Sequence, residues 1–359
     1  MIGLRALLGR LAREQVLRRV AFGLLAVTSG RSGAPDAPGS APVAEVRPED
    51  VRLLAMVAHW RGERASAAVD DCVIACLAAL VALPADTVAI VVHTDRPEET
   101  VALLRRRAGD VGLAPDAVRP ASSVHSGPAD RRITVEGFRP RWPYRHGHYL
   151  TWQHKTTLRA GLDAGRFTHF LYLEDDIEFT GANLVHWLTA RPVLAPLGLL
   201  PGFVRYERAG ERRLLVDQTR SGQYVTVDPQ DAAADALGRV VRSTRPYQAC
   251  FLLDVALARH HVTRSPMRSP LRSRISCWGI RERAAAGEVF DTPRRPIRGV
   301  LALRAKDVDP TPRHGLVLVP AGPDASGWRP VEGSLIQHLR PTYSRDATSR
   351  AGSVPVDAF

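Results

Sequence analysis

The chain has 359 residues, of which 45% are hydrophobic and 24% are charged. This length and composition predict a folded protein with a large buried core, and they exclude a chain that is mostly disordered. The four cysteines are too few for a disulfide-stapled scaffold. Two of them, Cys72 and Cys76, lie four residues apart in an apolar segment, a spacing that favours burial on one helix face.

The charge is strongly basic, with 49 Lys and Arg residues against 37 Asp and Glu and a formal net charge of +12. Almost all basic residues are arginines, because Lys155 and Lys306 are the two lysines of the chain. The arginines are dispersed rather than gathered in one stripe, so we expect no nucleic-acid partner. A phosphorylated ligand or an anionic membrane surface fits this distribution better.

Residues 1–27 combine leucines on one helical face with several arginines. This pattern predicts a helix lying on an anionic membrane surface; a helix packed on the protein and a targeting segment are the alternatives. Residues 28–50 form a linker rich in Gly, Pro, Ser and Ala. The chain has no apolar run long enough to span a bilayer, so we expect it in the cytoplasm or at the inner membrane face.

After the linker, apolar runs bounded by polar residues alternate with helical segments. The predicted strands are 51–59, 87–93 and 167–173. The predicted helices are 65–82, 97–107, 149–164 and 183–190, and a further helix is predicted at 253–261. Residues 110–147 are rich in Pro and Arg and show no period, so they are predicted to be irregular. From residue 198 onward the pattern changes to shorter, partly alternating strands.

This order of elements predicts an α/β fold, a Rossmann-type arrangement with a mainly parallel sheet. We expect one domain over residues 51–345. Its first half, 51–197, is the regular α/β part, and its second half, 198–345, is mixed. Residues 346–359 are predicted to be a C-terminal tail.

Open parallel sheets bind ligands beyond the carboxyl ends of their strands. Polar clusters follow the three predicted strands and would line one crevice: His59-Trp60-Arg61, His93-Thr94-Asp95 and Glu174-Asp175-Asp176. Adjacent carboxylates repel one another, and their oxygen atoms suit Mg²⁺ or Mn²⁺, which in turn bind diphosphates. The acidic cluster therefore predicts a metal site; an acidic turn that caps the next helix is the alternative.

The segment THFLYLEDDIEFT, residues 168–180, resembles the strand and acidic DxD-type motif of nucleotide-sugar glycosyltransferases with the GT-A fold. The resemblance implies that the half 51–197 binds the nucleotide and that the half 198–345 binds the acceptor. It further implies that Glu174 and Asp175 contact the donor nucleotide, and that Asp176 binds a Mn²⁺ or Mg²⁺ ion.

Two later segments resemble other parts of such enzymes. ISCWGIRERAAAG, residues 275–287, is similar to their acceptor-side Trp-Gly segment, which makes Glu282 the candidate general base. A surface ion pair with Arg281 is the alternative role for Glu282. IQHLRPTY, residues 336–343, is similar to the segment with a late histidine, so His338 is a candidate metal ligand. A structural histidine is the alternative.

Four further residues are candidates for donor binding. Lys155 ends an apolar helix stripe and is predicted to meet a phosphate; a Lys that extends to solvent is the alternative. Asp95 is predicted to accept a hydrogen bond from the nucleobase, unless it is the N-cap of the following helix. Trp60 and Arg61 are predicted to stack on the base, although Trp60 has a core position as its alternative.

The sequence therefore predicts a metal-dependent glycosyltransferase, inverting at the sugar, with a UDP- or GDP-sugar donor. The expected acceptor is a carbohydrate, a lipid-linked sugar or a small molecule. A nucleotidyltransferase on a similar sheet is one alternative, which the lack of a Gly-rich phosphate loop after the first strand disfavours. A non-catalytic binding protein associated with membranes is the other alternative.

Overall fold

A computed structural model describes thirteen parts of the chain. They are residues 43–62, 66–121, 132–138, 147–195, 199–209, 212–215, 223–225, 240–242, 248–264, 281, 284, 315–318 and 332–339. The predictions for residues 1–27, for the linker up to residue 42, for the tail 346–359 and for Glu282 lie outside these described residues.

The first part of the chain forms the strands and helices of a central layer. The strands are β1 Arg52–His59, β2 Thr87–Thr94, β3 Val118–Pro120, β4 Arg132–Gly137 and β5 His169–Glu174. The helices are α1 Ala67–Val81, α2 Pro97–Arg106, the short α3 Ala108–Val111 and α4 His154–Ala164. A 3-10 segment, Gly147–Trp152, leads into α4. The predicted strands and helices of this part are confirmed to within a few residues at their ends.

The later part is mixed, as predicted. Its strands are β6 Ile177–Glu178, β7 Leu199–Pro201, β8 Val204–Ala209, β9 Arg212–Leu215, β10 Gln223–Val225, β11 Val240–Arg242, β12 Cys250–Asp254, β13 Gly315–Leu318 and β14 Leu335–His338. Its helices are α5 Gly181–Leu194 and α6 Val255–Arg264.

The described strands form one six-stranded and two four-stranded sheets. The central sheet has the order β12-β5-β1-β2-β4-β3. Adjacent strands of this sheet are parallel, except that β12 and β5 are antiparallel. The smaller sheets have the orders β6-β14-β8-β9 and β10-β11-β13-β7. The α/β fold with a mainly parallel, Rossmann-like sheet is thus confirmed.

Two of the sequence predictions are wrong in part. The stretch 110–147 contains strand β4, which pairs with β2 from Ala89↔Arg132 to Thr94↔Gly137. Only two of its residues, Ile133 and Val135, are buried hydrophobics, so the strand has too short a pattern to be recognised. Helix α6 begins two residues later than predicted, because its apolar start belongs to β12.

Helix α4 lies very close to the central sheet because residue 161 has no side chain. A Cβ atom on Gly161 would lie 2.5 Å from Leu54 Cδ2 and 3.2 Å from Phe170 Cε1. Both of these neighbours are buried core residues on β1 and β5. The contact fixes the distance between the sheet and the helix that carries Lys155.

We expect Gly161→Ala to lower the free energy of unfolding by about 1–3 kcal/mol, because the added methyl group overpacks the core. The matched control is Gly109→Ala in α3, where an added Cβ meets nothing within 4 Å. That change should be neutral or stabilising by up to about 1 kcal/mol. Urea unfolding of both variants measures the difference, and equal stabilities would contradict the close contact.

The free energy of unfolding should also decrease in acid because of His169, the first residue of β5. Burial lowers the pKa of His169 to about 4, although the charge of Asp254 opposes this effect. The unfolded chain, with an ordinary pKa of 6.5, binds the proton first, so stability is complete above pH 6.5 and declines toward pH 4. We expect a loss of about 3 kcal/mol from this group. His169→Phe should flatten the decline in urea unfolding; an unchanged slope would contradict the shift.

Candidate functional site

Three parallel strands end side by side at one edge of the central sheet. Ala58 of β1 pairs with Glu174 of β5, and His59 pairs with Thr94 of β2. The polar clusters that follow these strands therefore meet at the carboxyl edge, where open α/β sheets bind ligands. The acidic motif begins at Glu174, the last residue of β5, and its other two residues, Asp175 and Asp176, connect β5 to the short strand β6.

The middle carboxylate of the motif is held inside the protein. His59 Nδ1 lies 2.6 Å from Asp175 Oδ2, and both side chains are buried. The Asp175 charge also reaches Cys76 on α1, where burial first and the nearby carboxylates second raise the pKa of the thiol well above its ordinary value. This geometry favours a structural role for Asp175 over the predicted contact with the donor.

The last carboxylate of the motif faces a histidine from the far end of the chain. Strand β14 pairs antiparallel with β6, and His338 stands opposite Ile177. This pairing brings His338 Nε2 to 3.4 Å from Asp176 Oδ2. On the other side of the ring, Nδ1 lies 2.9 Å from Oε1 of the buried Glu207. The carboxylates of Asp176 and Glu207 therefore flank one imidazole.

The protonation of His338 follows from these contacts. Burial by itself lowers the pKa of His338, but the hydrogen bonds with Asp176 and Glu207 outweigh it, and the pKa is raised. An imidazole whose Nδ1–H donates to a carboxylate presents Nε2 as a basic ligand atom. The predicted pair of metal ligands, Asp176 and His338, is thus brought together in the structure.

The first carboxylate of the motif has a third kind of neighbour. Glu174 Oε1 lies 3.6 Å from Nε of Arg281, whose side chain is 43% exposed. The Glu174 backbone N–H donates to the Ala249 carbonyl at 3.0 Å. Arg281 directly precedes Glu282, the predicted general base, in the sequence.

The loop after β1 is tied down by Asp95. Its two carboxylate oxygens accept hydrogen bonds from the backbone N–H groups of Arg61 and Gly62, at 2.9 and 3.0 Å. The Arg61 guanidinium donates to Asp70 at 3.0 Å and to Glu99 at 3.1 Å. Asp95 and Arg61 therefore hold two loops and two helices together, a role that differs from the predicted base contacts. The N-cap alternative for Asp95 is wrong, because Arg96 precedes α2 and no side chain caps it.

Trp60 is a large hydrophobic residue left exposed at this edge, with 40% of its surface accessible. Glycine backbones border its indole. A Cβ on Gly147 would lie 2.6 Å from Cε2 of the ring, and one on Gly62 would lie 2.8 Å from Nε1. The indole thus occupies space that side chains at positions 62 and 147 would fill. Its exposed part remains available for stacking. The core alternative for Trp60 does not fit this exposure.

Lys155 lies in the interior rather than at the surface. It is fully buried in α4, and its Nζ lies 4.1 Å from the centroid of the Trp152 ring. Burial first, and the Lys155 charge second, lower the pKa of the neighbouring His154 well below its ordinary value. The solvent-exposed alternative for Lys155 is therefore wrong, while its contact with a phosphate stays a prediction.

A second polar cluster lies at the ends of β2 and β4; the sequence predicted His93 at this edge but not its partners Glu136 and Thr157. His93 Nδ1 lies 3.1 Å from Glu136 Oε2, and the Thr157 hydroxyl lies 3.3 Å from His93 Nε2. The hydrogen bond with His93 lowers the pKa of Glu136, although partial burial opposes it. Glu207 and His59 were likewise missed as partners of the motif. His59 has one signal in the sequence, its position at the end of an apolar strand, whereas Glu207 lies inside β8 and has no such signal.

The described residues contain no group of three or more His, Cys, Asp or Glu side chains arranged to hold a metal by themselves. Asp176 and His338 are two such side chains, so a metal between them would need further ligands from a substrate and water. Cys72, Cys76 and Cys250 are buried and form no disulfide, which confirms the core positions predicted for the first two. In the part of the chain that the structure describes, no helix is long and apolar enough to cross a bilayer.

The similarity of the chain to known proteins is weak. No family model matches the chain, and no curated protein sequence matches it. Among solved structures, the chain is similar to 4-diphosphocytidyl-2C-methyl-D-erythritol synthase from Anaerococcus prevotii, with 10% sequence identity and a TM-score of 0.29. The match covers 65% of this chain and 82% of that chain. A similarity of this size indicates no activity for the chain.

The neighbouring carboxylates Asp175 and Asp176 should differ in what they do. We expect Asp175→Asn to lower the free energy of unfolding by about 1–3 kcal/mol, because it disturbs a buried hydrogen bond with His59. Asp176→Asn should change stability by less than about 1 kcal/mol, since its 3.4 Å contact with His338 is longer and less buried than the 2.6 Å contact of Asp175. Urea unfolding of both variants tests this contrast. A larger loss for Asp176→Asn would place the structural contact at the wrong carboxylate.

Proposed function

We propose that the chain is a metal-dependent glycosyltransferase, which moves a sugar from a nucleotide-sugar donor to an acceptor hydroxyl. The observation that carries the proposal is the convergence of Asp176 Oδ2 and His338 Nε2, 3.4 Å apart, at the carboxyl end of β5. Glu207 fixes the orientation of the imidazole from behind. This arrangement agrees with the resemblance of the acidic motif to the GT-A enzymes.

The donor atoms of this pair suit Mn²⁺ or Mg²⁺. A carboxylate oxygen and an imidazole nitrogen are ligands that Mn²⁺ accepts, and Glu207 would act as the partner that orients His338. Two protein ligands leave coordination positions for diphosphate oxygens and water, as is common for divalent ions in nucleotide sites. When bound, the ion supplies positive charge that stabilises the leaving nucleoside diphosphate.

The nucleoside of the donor has a platform at the same edge. The exposed indole of Trp60 offers a flat face for a base, and stacking of this kind contributes about 1–3 kcal/mol. Glu174 can accept hydrogen bonds from ribose hydroxyls, as the resemblance implies. Asp95 and Arg61 act on the donor indirectly in this proposal, because their contacts hold the loop that carries Trp60.

The acceptor is activated by a carboxylate, for which we propose Glu282. In an inverting transfer the acceptor hydroxyl gives its proton to the base while its oxygen attacks the anomeric carbon. The bond from that carbon to the diphosphate breaks, and the nucleoside diphosphate leaves with the electron pair. The contact of Arg281 with Glu174 supports this choice, since the residue before Glu282 touches the acidic motif. We place the reaction in the cytoplasm or at the inner membrane face.

The proposal is tested by thermal shifts with UDP, GDP, CMP and ADP, each with and without Mn²⁺. A nucleotide at one hundred times its Kd stabilises the folded state by about 2.7 kcal/mol, which raises the Tm measurably. We expect one nucleotide to raise the Tm of the wild type in a Mn²⁺-dependent way. Asp176→Asn should abolish this shift, and Glu207→Gln should weaken Mn²⁺ binding by about 10- to 100-fold.

The matched control is Asp163→Asn, the same chemical change at an exposed position of α4. It should retain the full shift. Turnover is then measured with the sugar derivative of the nucleotide that binds, and with the corresponding nucleoside triphosphate. Consumption of the triphosphate alone would indicate a nucleotidyltransferase instead. No nucleotide-dependent shift in the folded wild type would contradict the proposal and favour a non-catalytic binding protein.

A further inference from the structure

Gln248 lies between the end of β5 and the strands β8 and β14, which carry Glu207 and His338. It lies two residues before β12, and the next residue, Ala249, accepts the hydrogen bond of the Glu174 backbone N–H at 3.0 Å. Its own side chain accepts a hydrogen bond from the backbone N–H of Phe203 at 2.6 Å. Phe203 directly precedes β8, the strand that carries Glu207 and pairs with β14. Gln248 therefore links the end of β5 to the strands that hold His338.

The orientation of the Gln248 amide follows from this contact. A backbone N–H can only donate, so the end of the side chain that faces Phe203 is the carbonyl oxygen Oε1. The amide nitrogen Nε2 is consequently the other end. Gln248 is 1% exposed, and Nε2 is buried without a hydrogen-bond partner in the described part of the chain. A buried amide nitrogen with no acceptor is unfavourable, so an acceptor atom of a bound ligand would stabilise it.

The backbone beside Gln248 carries a second unfavourable feature. Ala249 has a φ of 55°, and it is the non-glycine residue with positive φ in the described part of the chain. Residues other than glycine rarely adopt a positive φ. Such backbone strain concentrates at ligand-binding sites, where the surrounding structure maintains it. Here the strained residue is the one whose carbonyl accepts the hydrogen bond of the Glu174 backbone N–H.

We propose that Gln248 is a substrate-binding residue whose Nε2 donates a hydrogen bond to an oxygen atom of the donor. This inference rests on the proposed function and adds a ligand contact that the acidic motif does not supply. A primary amide nitrogen is a donor only, so the partner is an acceptor oxygen and not a metal ion. Such an oxygen can belong to the nucleoside diphosphate, on its base, ribose or phosphates, or to the sugar that is transferred.

The test is Gln248→Glu, measured by titration calorimetry with Mn²⁺ and four probes: UDP, UDP-glucose, GDP and GDP-mannose. Glutamate keeps an oxygen for Phe203 and replaces the donating nitrogen by a second acceptor. We expect at least tenfold weaker binding of whichever probe the wild type binds. Weaker binding of the nucleoside diphosphate assigns the contact to an oxygen of the nucleotide part. Weaker binding of the nucleotide-sugar alone assigns it to a sugar hydroxyl.

Gln337→Glu is the matched control on β14. The oxygen of Gln337 already accepts hydrogen bonds from Arg208 at 2.9 Å and Tyr206 at 3.2 Å. Its side chain points to the opposite face of the strand from its neighbour His338, because successive strand residues alternate. We expect this variant to bind the probes as the wild type does, with the same added charge.

Gln248→Met provides a second, uncharged variant if the buried glutamate prevents folding. It also lacks the donor and should weaken the same probe at least tenfold. Binding within twofold of the wild type in a folded Gln248 variant would overturn the inference while leaving the proposed function intact. A wild-type protein that binds none of the four probes would overturn the UDP- or GDP-sugar donor of the proposed function, and this contact with it.

Discussion

Mutual repulsion of three consecutive carboxylates is the constraint around which the site is built. Glu174, Asp175 and Asp176 follow a buried strand, where little water screens their charges. Each of them lies beside a different basic side chain: Arg281 at 3.6 Å, His59 at 2.6 Å and His338 at 3.4 Å. The cluster is stable at this edge because three separate elements bring these groups to it.

These partners differ in depth, and the difference separates their roles. The side chains of Asp175 and His59 are both buried, so their contact stabilises the position of the motif and does not involve a ligand. Arg281 is the most exposed of the three basic residues and belongs to a segment far along the chain. His338 is intermediate: it is mostly buried, yet its Nε2 faces the carboxylate that would share a metal with it. A bound cation would take over the role of the proton between Asp176 and His338.

Local patterns in the sequence were sufficient for the framework but not for the partners. The apolar runs before His59, Thr94 and Glu174 predicted three buried strands, and parallel pairing placed their ends together. Strand β4 was missed because its alternating pattern is only six residues long. Glu207 was missed because its contact with His338 depends on the pairing of β8 with β14, which joins residues 131 positions apart.

The same reasoning explains why single-residue roles were harder to predict than the site itself. Asp95 and Arg61 were correctly expected at the carboxyl edge, but their polar atoms are used by the neighbouring loop and helices. A polar residue at a strand end can bind a ligand or support the loops that do, and only the contacts distinguish these cases. Gln248 shows the reverse case, since its backbone neighbour supports Glu174 while its Nε2 has no described partner. For Gln248 it is the unsatisfied buried donor, and no strand pattern, that indicates the ligand contact.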